Sequence, residues 1–204
     1  MMLSLIDIVA AIFFVTCWYG YTTFARKKAK TTNCIARCLH QHRIHWMHEL
    51  IGHDVRVSDA SLLANLERNI AFFASSTLLV LAGLLTLFAK VGPVETVKNS
   101  LPYASIATES LIQIKISLLV CIFVLAFFNF TWSMRQYGFL DVMVGAMPLD
   151  EERQNENLKR YARQMAIVQD QAAHSYNYGL RAYYFSFGAL CWLYHPFLFM
   201  FASG

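Results

Sequence analysis

Four apolar runs, each long enough to cross a bilayer, constrain this chain more than any other feature: Leu3 to Phe24, Ile70 to Ala89, Leu111 to Trp132 and Ala182 to Ala202. Each holds about 20 residues, and at 1.5 Å of rise per residue a helix of that length spans ~30 Å, the thickness of a hydrocarbon core. A soluble fold would have to hide all four inside a chain of 204 residues, which leaves too little polar shell to cover them. The fold class expected is therefore all-α integral membrane, with four transmembrane helices. The runs account for only about 85 residues, so the other half must form sizeable aqueous parts. The 16 Phe, 10 Tyr and 4 Trp exclude disorder, and 15% charged residues is too few for an ordinary soluble surface.

The charges that are present set an orientation. The connection 25–69 holds eight Lys or Arg and the connection 133–181 holds six, whereas 90–110 holds only Lys90 and Lys98. Basic residues are retained on the cytoplasmic side, so the first and third connections are expected there and both termini on the non-cytoplasmic side. The net charge of +4 sits beside the apolar runs, which points to the lipid bilayer, with anionic lipids at its cytoplasmic face, rather than to nucleic acid. A cleavable leader is disfavoured, because no basic residue stands before the first run, which carries Asp7 near its start, while Arg26, Lys27, Lys28 and Lys30 follow it. The outer connection carries Pro93 and Pro102, as suits a short exposed loop. Without an internal repeat, residues 1–204 read as a single membrane domain.

Both cytoplasmic connections carry helical patterns. From Cys34 to Leu50 a stripe of Ile35, Cys38, Leu39, Trp46 and Leu50 recurs at helical spacing, with Arg37, His40, Gln41, Arg43 and His48 facing elsewhere. This predicts an amphipathic helix, either in the headgroup plane or against the other connection. Ser58 or Asp59 is a credible N-cap for a helix running to Lys90, about 20 Å longer than the bilayer requires. After Pro148, the acidic cluster Asp150, Glu151 and Glu152 suits a helix N-terminus. Leu158, Tyr161, Met165, Val168, Ala172 and Tyr176 then form a stripe, read first as a seam against the second long helix and second as a self-association surface.

Site chemistry is sparse. Five histidines fall between His40 and His53, of which His42, His45 and His48 are the weak metal candidates. No carboxylate or thiol is fixed beside them by spacing, and His48 and His53 are five apart where a helical zinc protease motif needs four. A solvated basic helix is the plainer reading. The three cysteines within spans, Cys17, Cys121 and Cys191, behave as small apolar residues. No nucleophile elbow or phosphate loop is found, so no cofactor is read from the sequence and an enzyme has no starting residue.

Polar residues at the span edges are more informative. Lys115 comes about four residues into the third run, close enough to snorkel outward as an interface anchor, with a pore site as the sharper reading. Asn65, Glu67, Arg68, Asn129, Ser133, Arg135, Asn177 and Arg181 gather at the cytoplasmic ends of three runs, where a polar belt or a permeation vestibule is expected. Glu67, Arg68, Arg135 and Arg181 are expected to be coupled there. In the second run Ser75, Ser76, Ala82 and Gly83 place small residues seven apart, a close-packing stripe that puts this helix at the bundle centre. The aromatic fourth run is expected to face lipid or another protomer, with Pro196 bending its outer end.

Three blocks, NLERNIAFFASSTLLVLAGLL, FVLAFFNFTWSMRQYGF and HSYNYGLRAYYFSFGALCWLYHPFLFM, resemble the domain-of-unknown-function 599 family of small multi-pass membrane proteins of bacteria and plants. The likeness covers nearly the whole chain, with the blocks in the same order. It implies a bacterial inner membrane and supplies no activity, substrate or site residues. Three functions follow from the residues. The first is a homo-oligomeric channel or transport-type protein for a small ion or solute, since four spans alone enclose too narrow a bundle for a pore. The second is a scaffold or regulatory subunit that docks a partner through its cytoplasmic helices. The third is a metal or redox protein using the histidine cluster.

Overall fold

The structure, a computed structural model, describes residues 5–31, 35–53, 55–90, 109–148 and 156–204. The expectations on Cys34, on Asp150 to Glu152 and on the connection with Pro93 and Pro102 lie outside these residues. Every element described is helical: α1 (Leu5–Thr31), α2 (Ile35–Leu50), α3 (Val57–Lys90), α4 (Glu109–Ala146), α5 (Glu156–Tyr194) and α6 (Pro196–Ser203). Three segments, Leu5–Ala25, Val57–Lys90 and Ser110–Gly145, are long and apolar enough to cross a membrane. The chain is a multi-pass membrane protein, all-helical among the described residues.

Its contacts divide it into two compact units, the first built from Met1–Arg26, Ser76–Phe127 and Gly179–Gly204, the second from Lys27–Ser75 and Phe128–Tyr178. The boundaries fall close to the ends of the apolar runs. Helices α1, α3, α4 and α5 each contribute residues to both units.

In the first unit α1 runs antiparallel to the end of α5. Trp192 bonds Asp7, Phe185 stacks on Trp18 at 5.3 Å and meets Phe14 edge-on at 5.7 Å, and the Arg181 guanidinium lies over the Tyr21 ring. Aromatic pairs of this kind replace the hydrophobic driving force, which vanishes between helices already in lipid. Thr77 of α3 and the Tyr183 hydroxyl share a 2.8 Å hydrogen bond, and Phe123 of α4 closes on the Tyr183 ring at 5.2 Å. Outward faces are apolar, with Leu5, Val15 and Leu79 widely exposed, as a lipid-contacting surface requires.

The fourth apolar run is interrupted at Pro196, where a bend is expected, and the interruption is a full break between two helices. Helix α5 ends at Tyr194, His195 is extended at φ −154 and ψ 139, and α6 begins at Pro196. The proline dictates the break, because it lacks an N–H for the helical ladder and forbids helical backbone in the residue before it. His195 then caps the new helix, its Nδ1 accepting from the Phe197 N–H at 3.3 Å. Helix α6 turns back alongside α5, so Phe199 stacks on Trp192 at 4.9 Å, and a Cβ on Gly188 would stand 3.0 Å from the Ser203 Oγ. Glycine at 188 permits that close approach. The run supplies core as well as outer surface: Ala189, Trp192 and Phe199 are buried while Tyr184, Phe187 and Phe201 are exposed.

The second unit is a helical cluster around Met47, Leu50, Leu63, Phe130, Leu140 and Met165, all buried. The stripe on α5 faces inward: Leu158, Met165 and Ala172 are buried, and Tyr176 packs on Phe73 of α3 and Phe130 of α4. Hydroxyls fasten α5 to α4, Tyr161 donating to the Met143 carbonyl and Ser133 to the Ala172 carbonyl, each at 2.7 Å. Such bonds satisfy carbonyls whose own helical bonds leave a lone pair spare.

Two details of this unit differ from the sequence reading. Helix α3 starts at Val57, and the Ala60 N–H bonds the Arg56 carbonyl, so neither Ser58 nor Asp59 is the N-cap. Asp59 instead lies inside the first turn, where its carboxylate meets the Trp46 indole at 2.7 Å and His53 at 2.8 Å. On α2 the buried side is Met47 and Leu50, joined by the partly buried Arg43 and Trp46, while Ile35, Cys38 and Leu39 are exposed. Polar His40 and Arg43 face protein because a carboxylate awaits them on α5.

Candidate functional site

Two buried charges of opposite sign lie in the first unit. Asp7 retains 4% of its surface and Lys115 2%, values ordinarily reached by apolar side chains. Trp192 links them. Its indole N–H donates to the Asp7 Oδ1 at 2.9 Å, and its carbonyl accepts from the Lys115 Nζ at 2.8 Å, the ammonium also standing 5.6 Å from the ring centre. A lone ion buried this deeply would cost several kcal/mol (order of magnitude), of which the Trp192 carbonyl bond and ring face recover part for Lys115. Lys115 is thus buried among helices of its own chain rather than extended into solvent. Local pattern carries no sign of this partnership, because 185 residues separate Asp7 from Trp192 and the hairpin at His195 brings Phe199 onto the Trp192 ring.

A second polar centre lies in the second unit around Asp170. Arg43 donates to its Oδ1 at 2.8 Å, and His40 Nδ1 and His174 Nε2 both stand 3.3 Å from its Oδ2. Burial alone would raise the Asp170 pKa, but hydrogen bonds and charge from His174 and His40 overcome it and hold the carboxyl well below the usual carboxylate range. The arrangement clasps α2 to α5.

The residues singled out from sequence are dispersed. Ser133 is buried in the α4 to α5 contact, Asn129 is half-buried, and Asn65 and Asn177 are exposed. Glu67 is half-buried and Arg68 exposed, and among the described residues no ion pair joins either of them to Arg135. Arg135 lies over the Trp132 and Phe139 rings of its own helix, and Arg181 over Tyr21. For Arg135 aromatic faces thus take the place of the expected carboxylate. Of the small-residue stripe, Ser75, Ala82 and Gly83 are exposed and Ser76 half-buried, and a Cβ at Gly83 would meet nothing within 4 Å. Within the protomer the inward face of α3 is instead Leu63, Ile70, Ala74, Thr77 and Leu81, which corrects the placement of the stripe at the bundle centre. His42 and His45 are exposed, His45 facing Glu49 at 3.9 Å, and His48 is half-buried. Among the described residues no three His, Cys, Asp or Glu side chains are grouped to hold a metal ion.

Comparison with known families matches residues 9–204 to the family described as "Protein of unknown function, DUF599". The chain belongs to this family. Searches of curated proteins and of solved structures return no match. Membership in DUF599 extends over the buried partners Lys115 and Trp192, the Asp170 clasp and the His195 hairpin, while Asp7 lies just before the matched residues.

Proposed function

We propose that this DUF599 protein is a transport-type membrane protein that moves a small ion or solute, with Asp7 and Lys115 as a polar station among its apolar helices. The observation that carries this reading is the burial of both charges beside Trp192, since ionisable groups held inside membrane helices characteristically belong to ion or solute pathways. An axial ring of Lys115 side chains is not required, because the charge pair belongs to each protomer. The positive-inside pattern supports a bacterial inner-membrane orientation with the connections 25–69 and 133–181 in the cytoplasm. Ser75, Ala82 and Gly83, exposed along α3, support assembly of several copies through a close-packed helix face.

A second reading, a scaffold that docks a partner through cytoplasmic helices, is favoured by one feature: Ile35, Cys38 and Leu39 stand exposed on α2, on a unit already folded around its own core. Flux through proteoliposomes separates the two. Uptake of a small ion or solute by the wild-type protein, abolished by Lys115→Glu and altered by the double variant Asp7→Asn/Lys115→Met, is the result expected. Absence of flux for a panel of monovalent ions and small solutes, with capture of a partner that Ile35→Ser/Leu39→Ser abolishes, would replace transport with the scaffold.

A further inference from the structure

The two halves of α2 are held to the second unit by different means. Met47 and Leu50 seat the C-terminal half in the core, and Trp46 adds its bond to Asp59. Among the side chains ahead of them, Ile35, Arg37, Cys38 and Leu39 are all exposed. What reaches across to α5 from this N-terminal half is His40 and Arg43, and both end on one carboxylate, that of Asp170.

Asp170 is shared between two helices. Arg43 takes its Oδ1 at 2.8 Å, while His40 Nδ1 from α2 and His174 Nε2 from α5 itself each stand 3.3 Å from its Oδ2. His40 and Arg43 are three residues apart on one helix and Asp170 and His174 four apart on the other, so each pair shares a face. From α4 the buried Tyr137 lies within electrostatic reach of Arg43, and a tyrosine stays neutral over the range in which imidazoles titrate. Both histidines are about half exposed, so water can deliver protons to them, whereas Asp170 and Arg43 are about four-fifths buried.

The two histidines act on the docking of α2 with opposite sign. His40 meets the carboxylate only when α2 is docked, so a proton on it adds a charge-assisted bond between the helices. His174 lies one turn from Asp170 on the same helix and keeps its contact whether or not α2 is docked. A proton on His174 therefore neutralises Asp170 from within α5 and sets a positive charge against Arg43 and His40. The attraction acts at contact and the repulsion across the width of the carboxylate, and Coulomb energy falls with distance, so the His40 effect is the larger.

We infer that the N-terminal half of α2 is a proton-controlled arm: protonation of His40 fastens it to Asp170, and protonation of His174 works against the fastening. The arm tightens as pH falls from weakly basic to weakly acidic. At the basic end Arg43 alone carries a charged contact, and the turns bearing Ile35, Cys38 and Leu39 loosen. With the orientation proposed above, the pH sensed is that of the cytoplasm. The arm lies within the second unit and is independent of the transport reading.

The test is hydrogen–deuterium exchange of the full-length protein in mild detergent at pH 8 and pH 6, corrected for the pH dependence of chemical exchange, with residues 35–43 compared against 44–50. In the wild type, protection of 35–43 should rise about threefold on going to pH 6, as suits a half-exposed imidazolium, while 44–50 stay unchanged. His174→Gln should enlarge the rise, and His40→Gln should turn it into a fall, because only the opposing proton is left. Both replaced side chains are about half exposed, so neither change threatens the core. Asp170→Asn should leave 35–43 weakly protected at both pH values. A rise in His40→Gln equal to that of the wild type would overturn the proposal. So would equal protection of 35–43 at the two pH values in the wild type, or a rise shared by 44–50, which would make the effect one on the whole unit rather than on the arm.

Discussion

Arg43 on α2 and Asp170 on α5, 127 residues apart in sequence, are joined by a 2.8 Å hydrogen bond with both side chains about four-fifths buried. The contact explains why α2 presents an arginine rather than a leucine to its neighbour. A carboxylate at this depth is held ionised by three nitrogen-bearing groups, and its ionisation is coupled to the folding of the second unit.

That coupling gives a pH dependence with a definite sign. Because the folded-state pKa of Asp170 lies below its ordinary value of 3.8, the clasp contributes fully above that value and is lost as pH falls from there toward the folded pKa. Asp170→Asn should lower stability at pH 7 by about 1.5 to 3 kcal/mol, the range for hydrogen bonds to a charged group. The gap between wild type and variant measured at pH 5 should shrink as pH falls below ~4. Thermal melts of both proteins across that range check it; a gap that widens in acid would refute the role of the carboxylate.

Lys115 and Asp7 should behave as a coupled pair. Lys115→Met leaves Asp7 buried with its indole bond but without the opposing charge, and Asp7→Asn leaves the ammonium likewise. Each single change should cost about 3 to 5 kcal/mol, the range for an orphaned buried charge. The double variant should be substantially more stable than the sum of the two losses predicts, giving a coupling energy of about 1 to 3 kcal/mol. Additive losses in detergent melts would show the two charges to be energetically separate.

The hairpin at His195 depends on the absence of a side chain at 188. In Gly188→Leu the new Cβ would lie 3.0 Å from the Ser203 Oγ and 3.4 Å from the Ala202 carbonyl, so α6 must move away. Overpacking of this kind costs about 1 to 3 kcal/mol. Adding Ser203→Ala removes the nearest atom and should recover part of the loss. A melt unchanged in Gly188→Leu would mean that α6 does not pack on α5 as described.

How far the sequence discloses this molecule depends on the range of the interactions concerned. Helical character and three of the long apolar helices follow from local pattern, because a run of about 20 apolar residues has few alternatives. So does the inward stripe on α5 from Leu158 to Tyr176, whose period is the helix's own. The hairpin was half visible: Pro196 signals an interruption, but the direction that α6 takes is decided by Phe199 meeting Phe14 and Trp192. Polar partnerships were the least legible. Asp7 reads only as an acidic residue that counts against a leader, and His40 and Arg43 as a solvated face, until Trp192 and Asp170 are brought to them by tertiary packing. In each case the signal available was a charge placed inside or against an apolar pattern, which marks an expected partner without saying which residue it is.

The exposed stripe on α3 yields the last prediction. A Cβ at Gly83 would meet nothing within 4 Å in the chain, and Ala82 beside it is exposed. If the face met only lipid, Gly83→Ala would stabilise the helix by up to about 1 kcal/mol through propensity alone. If a second copy packs there, as proposed, small residues allow the backbones to approach, and Gly83→Leu forces them apart. Cross-linking and light scattering in mild detergent should therefore show wild-type oligomers and Gly83→Leu monomers, with the Asp7 and Lys115 coupling preserved because that pair lies within one protomer. Wild-type protein that is monomeric at all concentrations, and gains stability from Gly83→Ala, would assign the stripe to lipid and confine the transport pathway to a single chain.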